Sequence, residues 1–154
     1  MSITEFLADY GSTTTHFKQM SDKYELKILQ HGVVGDKFER LVIIYVADLP
    51  VMFGLSVTNL SSPTFLNILQ NARTVPIGVK LFAAGTAIIR TNMIIKQIDV
   101  ALVENYIISK YLQENKISGQ IYYRQSDFVN GAETMQLKEY ILPGLLELLS
   151  KNTK

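Results

Sequence analysis

The chain has 154 residues, 47% apolar and 19% charged, with 15 Lys and Arg against 14 Asp and Glu and no cysteine. That is one cored domain, 1–154, too apolar for disorder. It has no thiol for disulfides, zinc ribbons, iron–sulfur clusters or thiolate catalysis. A net charge of +1 without a basic block leaves no electrostatic footprint for nucleic acid.

The longest apolar run, Leu41 to Ala47, is far short of the about 20 residues of a spanning helix. Met1-Ser2-Ile3-Thr4-Glu5 lacks the basic and apolar regions of a signal peptide. The expectation is a soluble, cytoplasmic, monomeric protein with neither nucleic-acid nor membrane partners.

Ser2-Ile3-Thr4-Glu5 has the pattern of a capping box and predicts a short helix. A second short helix follows Ser12 through Phe17 and Met20. Tyr24, Leu26 and Ile28 alternate with Glu25 and Lys27, the pattern of a half-buried strand running to about Val34. Gly35-Asp36 turns the chain into Phe38–Ala47, apolar enough for a central strand covered on both faces. Asp48-Leu49-Pro50 leads to a third strand, Val51 to Leu60. Ser61-Ser62-Pro63 predicts a helix start with proline in the first turn, and the helix runs to Asn71.

Pro76-Ile77-Gly78 breaks the pattern ahead of a helical turn carrying Val79 and Leu81. A long strand is predicted from about Thr86 to Ile98, and a helix over Ala101–Glu114. Strands Gln120–Val129 and Glu133–Leu142 flank Asn130-Gly131, a strong hairpin signal. Pro143 precedes a terminal helix with Leu145, Leu146, Leu148 and Leu149. The sum is an α+β fold, a single antiparallel sheet of about six strands with helices packed on it.

His16 and His31 fall on different elements without a second ligand at metal spacing, so satisfied histidines are the better reading. Neither has an obvious acidic orienter, and no Gly-x-Ser-x-Gly occurs. The telling residues are charges inside apolar strands: Arg40, Arg90, Arg124 and Glu139. Any one alone reads as an outward-facing residue of a half-solvated sheet. Converging, they would form a pocket for a small dianion, since the guanidinium fork binds carboxylates bidentately. Pro76-Ile77-Gly78 could add backbone N–H donors, glycine permitting close approach.

These pieces, in this order from residue 12 to 143, resemble the chorismate pyruvate-lyase (4-hydroxybenzoate synthase) family. The resemblance rests on Ser12-Thr13-Thr14-Thr15-His16-Phe17, the strand opening at Arg40, Leu49-Pro50-Val51-Met52-Phe53-Gly54 and Pro76-Ile77-Gly78-Val79-Lys80-Leu81-Phe82. Arg124-Gln125-Ser126 and Glu139-Tyr140-Ile141-Leu142-Pro143 complete it. Some members carry an Arg after the glycine matching Gly54, where this chain has Leu55.

The resemblance implies a sheet enclosing a pocket in which chorismate loses pyruvate to give 4-hydroxybenzoate, a step of ubiquinone biosynthesis, without metal or other cofactor. Arg40 and Glu139 would be the catalytic pair. Arg40 and Arg124, with the backbone near Thr13, Ile77 and Gly78, would bind substrate. Glu139 would meet the ring hydroxyl, moving a proton or only orienting it.

Two other readings compete. Ligand-sensing domains of one class of bacterial transcription regulators resemble the same fold; the about 20 non-basic residues before the first strand count against a DNA-binding helix-turn-helix. A lipid or polyketide carrier would use an apolar pocket and turn Arg40 and Glu139 outward.

Overall fold

The computed structural model describes residues 1–9, 11, 13–83 and 88–151, with 82 and 83 as backbone only. Its strands are β1 (Tyr24–Val34), β2 (Lys37–Val46), β3 (Leu49–Asn59), β4 (Ile89–Asp99), β5 (Gln120–Asn130) and β6 (Glu133–Ile141). They make one six-stranded sheet in the order β1-β2-β3-β6-β5-β4. Every neighbouring pair is antiparallel, as the alternating runs and short turns predict. The predicted Thr86 start of β4 lies outside the described residues, as does Ser12 before the second helix.

The helices are α1 (Ile3–Ala8), α2 (Thr13–Met20), α3 (Pro63–Asn71), α4 (Ile77–Ala83), α5 (Tyr106–Glu114) and α6 (Pro143–Lys151). Strand side chains alternate between faces, and β2 is apolar on both. Its Leu41 and Ile43 pack with Phe53, Tyr140 and the Ile108 and Leu112 of α5. Val42 and Ile44 face the other way, into Phe6 of α1, Phe17 of α2 and Leu145 of α6. On that same face, a second cluster joins Phe38 and Leu137 to Phe65 of α3 and Leu81 of α4. The site described below lies between these two clusters.

Three local expectations shift. The predicted helix over Ala101–Glu114 breaks in two. Asp99 caps a 3-10 turn at Val100–Leu102, and Asn105 accepts from the Ile108 N–H at 3.1 Å to start α5 at Tyr106. Both side chains offer the backbone local bonds that compete with a continuous helix.

The hairpin loop is Gly131-Ala132, one residue later than Asn130-Gly131, because Asn130 pairs with Glu133. Gly131 takes φ +61° there. Ser62 makes no capping bond; instead the Glu133 carboxylate accepts from the Thr64 N–H at 2.7 Å and the Thr64 hydroxyl at 2.6 Å, holding α3 to the hairpin.

Candidate functional site

Register decides which side chains meet. Arg40 lies opposite Ser56, Ser56 opposite Leu137, and Leu137 opposite Ser126, forming one row across β2, β3, β6 and β5. The next row on the same face is Val42, Gly54, Glu139 and Arg124. The charged residues predicted inside apolar strands thus share the face covered by α1, α2, α3, α4 and α6. Gly54 keeps the floor low between Val42 and Glu139; a Cβ there would sit 3.4 Å from a Val42 methyl.

Between the two apolar clusters lies a cavity of about 490 Å³, its mouth included. Only about 40 Å³ of it is enclosed space, so a ring-sized ligand enters only if the segments over the pocket yield. Arg40, Glu139 and Arg90 line it, with Thr13 at the start of α2 and Pro76, Ile77 and Gly78 at the start of α4. Its remaining walls are mainly apolar, including Leu26, Ile44, Met52 and Phe128.

Glu139, 1% exposed, is clamped. Arg124 forks onto it, Nε to Oε1 at 2.7 Å and Nη2 to Oε2 at 2.9 Å. Arg90 Nη2 donates to the same Oε1 at 3.0 Å. Arg90 also donates to Ser126 Oγ at 2.9 Å and lies over the Phe128 ring. Burial pulls the Arg90 guanidinium below its ordinary pKa, and Glu139 pushes back.

Arg40 is different. It is 1% exposed and donates Nη2 to the carbonyls of Arg73 and Val75, at 2.8 and 2.9 Å. Among the described residues no carboxylate forms an ion pair with it, and its buried Nε has no partner. Burial pulls its pKa down to about 10. The Tyr24 hydroxyl is also buried, with Thr14 and the Arg40 charge acting on it, and burial pushes its pKa up to about 12.

The same guanidiniums hold the segments over the pocket. Arg124 Nη1 donates to the carbonyls of Leu7 and Asp9, at 3.0 and 3.2 Å, and more weakly to Phe6. Arg90 Nη1 donates to the Gly11 carbonyl at 3.0 Å. Arg40 holds the link between α3 and α4 through residues 73 and 75.

Of the residues singled out by the sequence, Arg40, Glu139, Thr13, Ile77 and Gly78 all reach the cavity wall. Arg124 does not. It is 0% exposed behind Glu139, with its donors turned to Glu139 and to carbonyls of α1 and the link after it. Arg40 and Glu139 point inward, which removes the carrier reading. Leu55 faces α5 on the opposite side of the sheet, so an Arg in its place would not enter this cavity.

Arg90 was visible as a charge in an apolar strand but was not among the predicted site residues. A β-bulge between Thr91 and Ile94, with Asn92 at φ +52°, interrupts the alternation that would have given its face. The histidines are both satisfied: His31 Nε2 lies 3.0 Å from the Leu69 carbonyl, and His16 Nε2 lies 2.6 Å from Asp9 Oδ2. His16 therefore has the acidic partner the sequence reading missed. Asp9 and His16 lie seven residues apart in the sequence. The Gly11 N–H and then His16 hold the Asp9 carboxyl below its usual pKa.

No protein-family model and no curated protein sequence matches the chain. Solved structures do. The C-terminal domain of the histidine utilization repressor from Pseudomonas syringae pv. tomato superposes with a TM-score of 0.57 at 13% identity, covering 79% of this chain and 92% of that one. A possible transcriptional regulator, YydK, from Bacillus subtilis gives 0.54 at 12% identity, covering 80% of this chain and 59% of that one. This chain has the fold of that repressor domain. No helix among the described residues is long and apolar enough to cross a membrane.

Proposed function

We propose that the cavity binds a small, largely flat carboxylate and that the chain serves as a ligand-sensing domain. The observation that carries this is Arg40. A buried guanidinium without a counter-ion, its Nε pointing at no acceptor, is expensive to maintain. A ligand carboxylate would supply both the charge and the acceptor. The apolar walls suit a ring, and Glu139 is a fixed acceptor for a hydroxyl on it. The fold shared with regulator chains supports sensing as the role.

Conversion of chorismate to 4-hydroxybenzoate and pyruvate is the second reading. It is favoured by one observation: Arg40, Glu139 and the Pro76-Ile77-Gly78 backbone line one cavity. On this reading Arg40 receives a carboxylate, and N–H groups near Thr13, Ile77 and Gly78 assist. Glu139, held by Arg124, orients the ring hydroxyl, or takes the C–H proton from the carbon that bears it as the neighbouring ether C–O bond breaks and enolpyruvate leaves, to be protonated to pyruvate. Aromatisation makes the reaction downhill, so holding one conformer away from water is most of what the site must do.

One experiment separates the readings. Purified protein is incubated with chorismate while product absorbance is followed, and its melting temperature is recorded with chorismate, 4-hydroxybenzoate and benzoate. Ligand at 100 times Kd adds about 2.7 kcal/mol of stability. Melting shifts without product support the sensor, and product formation supports the lyase. If no carboxylate shifts the melting point and no product forms, both readings fall.

A further inference from the structure

We propose that Arg90 is a second anion receiver in this cavity, and that a ligand's second acid group takes the place of the Gly11 carbonyl on it. The inference rests on the carboxylate-binding reading above and adds what sets specificity. An arginine offers five N–H donors. Arg90 spends three on described partners: Nε on Ser126, Nη1 on the Gly11 carbonyl and Nη2 on Glu139. One hydrogen on each Nη remains, and the side chain lines the cavity.

The charge count points the same way. Three buried guanidiniums, Arg40, Arg90 and Arg124, face one buried carboxylate, Glu139, which is 3 − 1 = 2 positive charges in excess. Asp9, half-exposed and outside the cavity lining, is a further carboxylate that acts on Arg90 and Arg124. A monoanion on Arg40 would leave one excess charge inside, and a dianion would leave none.

The geometry allows both contacts at once. Four strand spacings separate β2 from β4, roughly 19 Å at about 4.8 Å each. Arg90 reaches back over β5 to Glu139 on β6. Its head therefore stands about two spacings from β2, roughly 10 Å. A ring with an acid group at each end can span that gap.

The Gly11 carbonyl is a neutral acceptor, and a carboxylate on the same hydrogens makes the stronger, charge-assisted bond. The exchange would free the start of α2 from Arg90 while Arg124 keeps its hold on Leu7 and Asp9.

The test uses calorimetric titration with isophthalate, which carries two acid groups, and benzoate, which carries one. Wild type should bind isophthalate at least tenfold more tightly. Arg90→Gln should bring that ratio to within threefold. Arg90→Lys should recover part of the ratio. In the unmodified protein, isophthalate but not benzoate should speed amide exchange at Thr13–Thr15, which needs no variant to fold. Equal weakening of both ligands in Arg90→Gln, an unchanged ratio, or identical exchange with the two ligands overturns the role of Arg90 and leaves the carboxylate pocket standing. Failure of wild type to bind either acid overturns both.

Discussion

Replacing Arg40 by Met separates a binding residue from a strut. The substitution keeps length and apolar stem and removes the charge. Burial holds the guanidinium at a pKa of about 10, well below the arginine norm. At about 1.4 kcal/mol per tenfold change in proton affinity, the buried charge is disfavoured by about 3 kcal/mol.

Against this stand two bonds to the Arg73 and Val75 carbonyls. They are partly buried, and losing them costs about 1 kcal/mol each. The variant should therefore be as stable as wild type or more stable by up to about 2 kcal/mol, read from urea midpoints. Carboxylate affinity should meanwhile fall by about 2–4 kcal/mol, roughly 30- to 1000-fold.

The sign of the pH dependence follows from the lowered pKa. Below about pH 10 both folded and unfolded chains carry the charge, so the penalty is present in full. As pH rises through the folded value, the folded state sheds its proton first and the penalty fades. Wild type should gain on Arg40→Met above pH 10, with a constant difference between pH 6 and 9. A variant that loses more than about 3 kcal/mol of stability and still binds benzoate as wild type does would show that Arg40 is only a strut for residues 73–75.

Glu139→Gln would leave Arg90 and Arg124 buried without their carboxylate, and denaturant unfolding should show a loss of about 3–5 kcal/mol. Ala47 sits at φ +52° in the turn between β2 and β3, a region costly for any side chain. Ala47→Gly should therefore raise stability by about 0.5–1 kcal/mol and the melting temperature by about 1–4 °C. Asp9, held below its usual pKa by the Gly11 N–H and His16, keeps that contact above the unfolded carboxylate value. The contact is lost as pH falls through the lowered folded value. The protection factor of the Gly11 amide should drop across that acid window, and a protection factor that stays flat there would discount the contact.

The sheet was legible because its information is local. Alternation in β1, the doubly apolar β2 and the turn residues at Gly35 and Gly131 each act within a few positions. The site was legible for residues whose strands keep register: Arg40 and Glu139 are placed by two uninterrupted rows. What the sequence hid is non-local or side-chain-made. Asn105 and Asp99 break a helix that periodicity alone draws as continuous. The capping of α3 by Glu133 spans 69 positions. The carboxylate that Arg124 pairs with is 15 residues away on the next strand. Charge and burial are readable from sequence; which charge satisfies which is not.

That distinction bears on what Glu139 can do. A carboxylate has about four acceptor directions. Arg124 and Arg90 fill three of them, two on Oε1 and one on Oε2. One direction on Oε2 is left for a ligand hydroxyl. An acceptor fixed this firmly can orient a hydroxyl without moving, which suits recognition and equally suits a lyase in which the substrate shifts its own proton. A mechanism that swings Glu139 to collect a proton must first break a bidentate, fully buried ion pair. Pairs of that kind hold about 3–5 kcal/mol against removal of one partner. The arrangement therefore favours an anchored Glu139 over a mobile base, and it moves the question of catalysis from the protein to the ligand. On the proposed carboxylate reading, chemistry follows binding where the acid on Arg40 carries a leaving group that aromatisation can expel.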